Sequence, residues 1–163
     1  ARTAREHGYT MQVIEAVERV NEAQKSVVFG KLRTALGDLA GKRVAIWGLA
    51  FKPETDDIRE AAAAEVIGRL LRAGAEVCVC DPVAVPEFLR KHGDWEFRTA
   101  RTMYGAAEGA DAVALLTEWK EFRMPDWAQL RGTMRGDAVV DGRNIYDKQE
   151  VRAAGFRYFG IGK

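Results

Sequence analysis

The stretch that decides the fold is GLAFKPETDDIRE, residues 48–60, which directly follows the apolar run Val44 to Trp47. An apolar run that ends in a loop and then a helix is typical of parallel α/β sheets, where ligands bind after the strands. A dinucleotide needs three glycines in a tight turn at this place, so that backbone N–H groups meet the pyrophosphate. Here Gly48 stands alone and Pro53 extends the chain, so the fingerprint is absent. The loop instead offers the aromatic face of Phe51 and the charge of Lys52, which suit a nucleotide phosphate.

Apolar strands and helical patterns alternate along the rest of the chain, from Arg43 onward. This alternation predicts an α/β fold, a parallel sheet with helices on both faces. The predicted strands are 43–47, 76–80, 95–98, 112–117, 138–141 and 156–160. The predicted helices are 61–73, 85–91, 104–108, 126–134 and 148–154.

Before the sheet, apolar residues recur every three or four positions from Ile14 to Leu39. This spacing predicts one long amphipathic helix whose apolar stripe needs another domain or another copy of the chain to cover it. The basic piece from Ala1 to His7 resembles the tail of a helix that starts upstream, so we expect the chain to be a fragment. We divide it into a helical part, 1–40, and a sheet domain, 41–163.

The residues that follow the other predicted strands complete the expected site, because the carboxyl ends of parallel strands meet at one edge. Arg143 follows the strand 138–141, and its guanidinium fork matches phosphate oxygens. Phe51, Lys52 and Arg143 together would form a nucleotide-phosphate site; the alternative is that Arg143 pairs with Asp141 or Asp57 as a structural contact. Asp81, where a ribose-binding acid would lie, is interpreted as a turn residue before Pro82.

The composition of the chain argues against several classes of function. With 25 basic and 24 acidic residues closely mixed, the net charge of +1 argues against a nucleic-acid partner. No apolar run has the length of a membrane span and no secretory signal is visible, so we expect a cytoplasmic protein. Cys78 and Cys80 lie on one face of a predicted strand and are expected to be small buried hydrophobes. No nucleophile–base constellation and no metal site are predicted.

Several motifs resemble the UDP-glucose/GDP-mannose dehydrogenase family, and the resemblance runs along nearly the whole chain. TEWKEF and DGRNIYD are most similar to the members that act on UDP-glucose, the UDP-glucose 6-dehydrogenases. The motifs are VERVNEAQK at 17–25, GLAFKPETDDIREA at 48–61, CDP at 80–82, GADAVALLTEWKEF at 109–122, VVDGRNIYD at 139–147 and FRYFGIGK at 156–163.

The resemblance implies an NAD-dependent enzyme that oxidises UDP-glucose to UDP-glucuronate in two hydride steps. The family has an NAD-binding domain, a central helical domain with a catalytic Cys in a GGSCF-type motif, and a Rossmann-like UDP-binding domain. This chain contains neither GxGxxG nor GGSCF, so the resemblance assigns it no catalytic residue and implies that it is inactive alone. It does not match Cys78 or Cys80 to the nucleophile.

The resemblance also implies roles for individual residues. Phe51, Lys52 and Arg143 would contact the UDP-sugar, and Arg59 would reach the NAD pyrophosphate held by another domain, aimed by Asp56, Asp57 and Glu60. The alternative is that Arg59 is merely balanced by Glu60. The long helix implies a homodimer through residues 11–39. Two functional alternatives stay open: a dehydrogenase for UDP-N-acetylmannosamine or GDP-mannose, and a non-catalytic nucleotide-binding or dimerisation module.

Overall fold

A computed structural model describes residues 11–162. Its centre is one sheet of six parallel strands in the order β3-β2-β1-β4-β5-β6. The order reverses direction between β1 and β4, which is the Rossmann-like, doubly wound arrangement with helices on both faces. The strands are β1 (Arg43–Trp47), β2 (Glu76–Cys80), β3 (Arg98–Thr99), β4 (Ala112–Leu115), β5 (Ala138–Asp141) and β6 (Arg157–Gly160).

The helices lie between the strands as the alternating pattern predicts, with ends within about two residues of the expected ones. They are α1 (Gln12–Lys25), α2 (Val27–Leu36), α3 (Ala62–Arg72), α4 (Val85–His92), α5 (Met103–Ala107), α6 (Trp127–Thr133) and α7 (Lys148–Ala153), with a 3₁₀ turn at Lys120–Phe122.

The third strand departs from the expectation of 95–98, because it consists only of Arg98–Thr99. Trp95 and Phe97 instead turn toward α4, where their rings lie 6.2 and 5.7 Å from the ring of Phe88. Aromatic contact removes more apolar surface from water here than an extended edge strand would. The prediction was therefore wrong by three residues at the start of this strand.

The amino-terminal segment differs from the single long helix that the periodicity predicts. Helix α1 ends at Lys25 and α2 begins at Val27, with Ser26 between them. The Ser26 hydroxyl donates to the Ala23 carbonyl at 2.8 Å, a bond to the backbone that bends helices. The predicted helix tail at Ala1 to His7 lies outside the described residues.

The expectation that the whole apolar stripe stays exposed is also wrong. Val28, Leu32 and Ala35 of α2 are buried because this helix packs on β4 and β5 of its own sheet, and Leu39 is buried as well. Only the α1 half keeps exposed apolar residues; they are Met11, Val13, Ile14, Val17 and Val20. The unpartnered surface is thus half as long as predicted.

The core lies in the central strands and fixes their carboxyl ends. Every residue of β4 and β5 is buried, and the Trp47 indole at the end of β1 donates to the Met103 carbonyl at 3.0 Å. Cys78 and Cys80 are buried and free, which confirms their interpretation as small core residues. Burial raises the pKa of the Cys80 thiol to about 12, so it is not a reactive thiolate.

Candidate functional site

A cleft of about 570 Å³ opens at the carboxyl ends of β1, β4 and β5, beside the junction of α1 and α2. This is the edge of the sheet where the strand order reverses, the usual position of ligands in such folds. Two of the three residues expected to bind a ligand, Phe51 and Arg143, line it together. The wall between them is apolar and includes Ala50, Leu116 and Gly142. Its volume suits a ligand of nucleotide size.

Asp81 holds the loop that carries Phe51. One carboxylate oxygen, Oδ2, accepts hydrogen bonds from the backbone N–H groups of Leu49 at 2.7 Å and Ala50 at 3.2 Å. The other, Oδ1, accepts from the N–H groups of Val83 and Ala84. Asp81 is therefore more than the turn residue that the sequence indicated: it fastens the loop after β1 to the turn after β2.

The same loop approaches the end of β4 very closely at Gly48. A Cβ on Gly48 would lie 2.5 Å from the Thr117 Cβ, and its φ of +96° is one that other residues rarely adopt. The Thr117 hydroxyl donates to the Ala50 carbonyl, and the Trp119 indole donates to Asp81 at 3.0 Å. These contacts join the loops after β1, β2 and β4 into one rigid rim.

Arg143 follows β5 and lies across the cleft from Phe51. Its backbone N–H donates to Asp141 at 3.0 Å, while its guanidinium donates through Nε and Nη2 to the two carboxylate oxygens of Glu118. The structural alternative named Asp141 or Asp57 as the ionic partner, but the guanidinium pairs with Glu118. Partial burial raises the pKa of the Glu118 carboxyl. The hydrogen bonds it accepts and the positive charges of Arg143 and Arg123 together lower it by more, so the pKa lies below its ordinary value.

The turn that presents Arg143 is fixed by a fully buried carboxylate. Asp141 accepts from the Tyr146 N–H at 2.9 Å and from the Tyr158 hydroxyl at 3.1 Å. Asn144 has a φ of +54° and its side-chain amide makes two hydrogen bonds with the backbone of Ile161. Because both sides of Arg143 are anchored, its backbone position is set before any ligand arrives.

Lys25 lines the cleft where the sequence suggested Lys52. Lys52 directly follows Phe51 and is exposed, but it is not among the described residues that line the cleft. Lys25, at the end of α1, does line it and bonds to Glu22 and Glu60. The hydrogen bonds that Lys25 donates to these carboxylates raise its pKa, so it stays charged. No sequence signal near the strand ends identifies Lys25, because it enters from another element.

Arg59 lies apart from the cleft, in a hollow with Thr55 and Glu87. Its side chain is 83% exposed and donates through Nε and Nη2 to the Asp57 carboxylate. The partner is thus Asp57, whereas Glu60 pairs with Lys25, so the alternative that Glu60 balances Arg59 is wrong. Hydrogen bonds from Arg59 lower the pKa of Asp57 to about 2.

The first loop does not fit the pyrophosphate of NAD. The N–H groups of Leu49 and Ala50, which a dinucleotide would need, already donate to Asp81. The Asp81 carboxylate is buried, so it is not presented to a ribose either. The sheet therefore has the strand order of a dinucleotide domain, but the Asp81 side chain takes the hydrogen bonds that a pyrophosphate would accept.

These features, a doubly wound sheet with a cleft at its switch point and no dinucleotide turn, agree with comparisons to known proteins. Residues 45–148 match the family model described as "UDP-glucose/GDP-mannose dehydrogenase family, UDP binding domain". The chain belongs to this dehydrogenase family. The matched region contains the loops of Phe51, Glu118 and Arg143, so the strand-end side of the cleft lies within the UDP-binding domain of the family, whereas Lys25 lines the cleft from outside the matched region.

Individual relatives give the same result. UDP-glucose 6-dehydrogenase from Pseudomonas aeruginosa is 43% identical over 167 residues, which cover 99% of this chain and 37% of the relative. TuaD, a UDP-glucose 6-dehydrogenase from Bacillus subtilis, is 37% identical, and 34% of its length is covered. A UDP-glucose dehydrogenase structure from Pyrobaculum islandicum has a TM-score of 0.81 at 34% identity, over 98% of this chain and 34% of that one. The chain thus spans about a third of these relatives.

No helix between residues 11 and 162 is long and apolar enough to cross a membrane. Within the same range, no cluster of three His, Cys, Asp or Glu side chains has the geometry to hold a metal ion.

Proposed function

We propose that this chain is the UDP-binding part of a UDP-glucose 6-dehydrogenase and holds the uridine diphosphate of UDP-glucose in the cleft. The observation that carries the proposal is the convergence on one cleft of Phe51 and Arg143, which come from loops after β1 and β5 and both lie in the matched UDP-binding domain. The whole enzyme would oxidise the C6 alcohol of UDP-glucose to a carboxylate and form UDP-glucuronate with two NAD.

Different side chains of the cleft would contact different parts of the ligand. Phe51 is 53% exposed and offers a flat apolar face to the nucleoside, while Arg143 and Lys25 offer positive charge to the diphosphate. Lys52, on the rim beside Phe51, would reach the phosphates from outside. Binding energy gained on the diphosphate would orient the sugar at the catalytic groups, which is how binding energy remote from the reaction raises its rate.

NAD would be held mainly by a domain other than this one, because Asp81 occupies the N–H groups of the loop after β1. NAD supplies the hydride acceptor when bound. From this chain Arg59 would contribute, since its exposed guanidinium is oriented by Asp57 toward solvent, where another domain could bring an anionic group. The sequence has no GGSCF motif, so we expect no oxidation by the 163-residue chain alone.

A related dehydrogenase for another nucleotide sugar is the second candidate. A UDP-D-ManNAc dehydrogenase structure from Pyrococcus horikoshii has a TM-score of 0.67 at 29% identity over 89% of this chain. This similarity supports UDP rather than GDP as the nucleotide, but it does not distinguish between the possible sugars. The higher identity to enzymes named for UDP-glucose supports UDP-glucose as the sugar. Assaying the full-length enzyme with UDP-glucose, UDP-N-acetylmannosamine and GDP-mannose separates these substrates.

Calorimetric titration of the 163-residue chain with UDP tests the proposal. We expect saturable binding to the wild type, and Arg143→Ala weakens it about tenfold or more, because a hydrogen bond to a charged group contributes about 1.5–3 kcal/mol. Lys52→Ala would weaken it less, since an exposed cation is screened by solvent. Arg101→Ala removes an exposed cation that is not among the described residues lining the cleft and serves as the control. Absence of UDP binding at millimolar concentration contradicts the proposal.

A further inference from the structure

We propose that Glu118 is a positioning residue for the diphosphate: it grips one edge of the Arg143 guanidinium so that the opposite edge faces the cleft. This inference rests on the proposed function, because it needs a phosphate-bearing ligand in that cleft. It adds a residue that never touches the ligand to the site of Phe51 and Arg143.

The hydrogen bonds of the pair show which edge is occupied. Glu118 accepts from Nε and Nη2 of Arg143, the side-on edge of the guanidinium, and neither bond uses Nη1. A guanidinium has five N–H donors in a fixed plane, so a carboxylate on one edge leaves a second edge for two more hydrogen bonds. Of the two residues, only Arg143 is among the residues that line the cleft. The carboxylate therefore lies behind the guanidinium as seen from the ligand.

Both partners are fixed at their backbones, which makes the pair a rigid bracket. Glu118 lies between Thr117, whose hydroxyl bonds the Ala50 carbonyl, and Trp119, whose indole bonds Asp81. On the other side, the Gly142 N–H donates to the Leu115 carbonyl at 3.0 Å. A Cβ at Gly142 would lie 2.5 Å from that carbonyl oxygen, so the ends of β4 and β5 are in close contact. Movement of the guanidinium is thus limited by two anchored loops.

Exposure and charge support positioning over simple surface pairing. The Glu118 side chain is 20% exposed, whereas in the nearby ion pair of Lys120 with Glu54 the side chains are 83% and 70% exposed. A half-buried bidentate pair keeps its geometry better than an exposed one, which loses side-chain entropy and is screened by salt. The opposing possibility is that Glu118 competes with phosphate for Arg143, in which case its removal would strengthen binding.

The test is a double-mutant cycle on the 163-residue chain, with UDP and with uridine, which has no phosphate, as ligands. We expect Glu118→Gln to weaken UDP binding about tenfold, the size of one charge-assisted hydrogen bond, and to leave uridine binding within about twofold. In an Arg143→Lys background the same change should alter UDP binding less than about twofold, because lysine has no fork to orient. Glu121→Gln, an exposed carboxylate three residues away, is the charge control.

Each result separates the two proposals. If the wild type binds no UDP, the proposed function is rejected together with this inference. If the wild type binds but Glu118→Gln binds UDP equally or more tightly, or loses as much in the Arg143→Lys background, the positioning role alone is rejected. Thermal melting checks the fold, and if Glu118→Gln is unfolded, Glu118→Asp replaces it. Glu118→Asp keeps the negative charge but shortens the side chain, so it should hold Arg143 less well and weaken UDP binding. A UDP affinity equal to that of the wild type would reject the positioning role.

Discussion

At the scale of single residues, the rim of the cleft depends on buried carboxylates that satisfy backbone N–H groups. Asp81 accepts from five N–H groups on three loops, and Asp141 accepts from the N–H groups of Arg143 and Tyr146 and from the Tyr158 hydroxyl. A carboxylate is suited to this because both oxygens only accept. These residues place the loops, while the residues that face the ligand follow them in sequence.

We expect Asp81→Asn to destabilise the fold by about 2–4 kcal/mol, because the new amide turns a donor toward backbone donors and leaves them unpaired. Urea unfolding measures the change. Asp126→Asn is the matched control, since Asp126 caps α6 through the Gln129 N–H and Asn caps helices equally well. A loss of less than about 0.5 kcal/mol at Asp81 would contradict the structural role described above.

At the scale of elements, the paired helices α1 and α2 show how one sequence pattern serves two surfaces. The periodicity is continuous, but Ser26 separates a half that covers the sheet from a half that does not. Gly30 lies on the exposed side of α2 with nothing within 4 Å of the position its Cβ would take. A side chain at this position would meet no neighbour, so glycine affects stability there only through its lower helix propensity.

We therefore expect Gly30→Ala to stabilise the fold by about 0.5–1 kcal/mol, the helix propensity difference between the two residues. Thermal unfolding measures it. Gly48→Ala gives the opposite sign, because its Cβ would collide with Thr117 and its φ is positive. Destabilisation by Gly30→Ala would indicate that a partner occupies that side of the helix.

Helix α4 ends in an aromatic cluster that contains a histidine. The His92 ring lies 4.7 Å from Phe88 and 4.3 Å from Trp95, and its Nε2 is buried without a hydrogen-bond partner among the described residues. Burial lowers the pKa of His92, and the neighbouring Lys91 lowers it further while Asp94 opposes. The fold therefore favours the neutral ring.

Because the folded pKa lies below the ordinary value of 6.5, the unfolded chain binds more protons as the pH falls through that value. We expect the free energy of unfolding to fall from pH 7 to pH 5, with a slope of at most about 1.4 kcal/mol per pH unit from this group. His92→Gln should remove that part of the slope. Urea unfolding at several pH values measures both proteins, and identical slopes would contradict the prediction.

At the scale of the whole molecule, α1 leaves a row of apolar residues exposed to solvent. Val13 is 78% exposed, Val17 53% and Val20 58%. The apolar stripe therefore needs a partner, as the sequence indicated, although only over α1. We propose that a second copy of the chain covers it, which makes the protein a homodimer through this part of residues 11–39.

Sedimentation equilibrium at tens of micromolar should show a dimer for the wild type. Changing Val13 and Val17 to Ser together should shift it toward monomer, because the contact depends on burying apolar surface. Val83→Ser, at another exposed apolar position, is the control and should leave the dimer intact. A wild-type monomer at these concentrations would reject the dimer.

Most of the fold could be read from the sequence, because the apolar runs of buried parallel strands and the 3.6-residue period of helices are local properties. The expected strands and helices are present in the predicted order, and Phe51 and Arg143 meet at the sheet edge as the parallel arrangement requires. The error at β3 has a local origin too, since Trp95 and Phe97 suit either a strand or an aromatic cluster. Only contact with Phe88, from another element, selects the cluster.

The sequence by itself determined the alternation of elements, the failure of the dinucleotide fingerprint and the positions of the ligand-facing loops. Tertiary structure alone decided that Lys25 lines the cleft, that Glu118 holds Arg143, that Asp81 fills the dinucleotide position and that α2 covers its own sheet. The physical reason is distance along the chain. Periodicity records which face a residue takes, whereas an ion pair or a buried carboxylate depends on which distant element packs against that face.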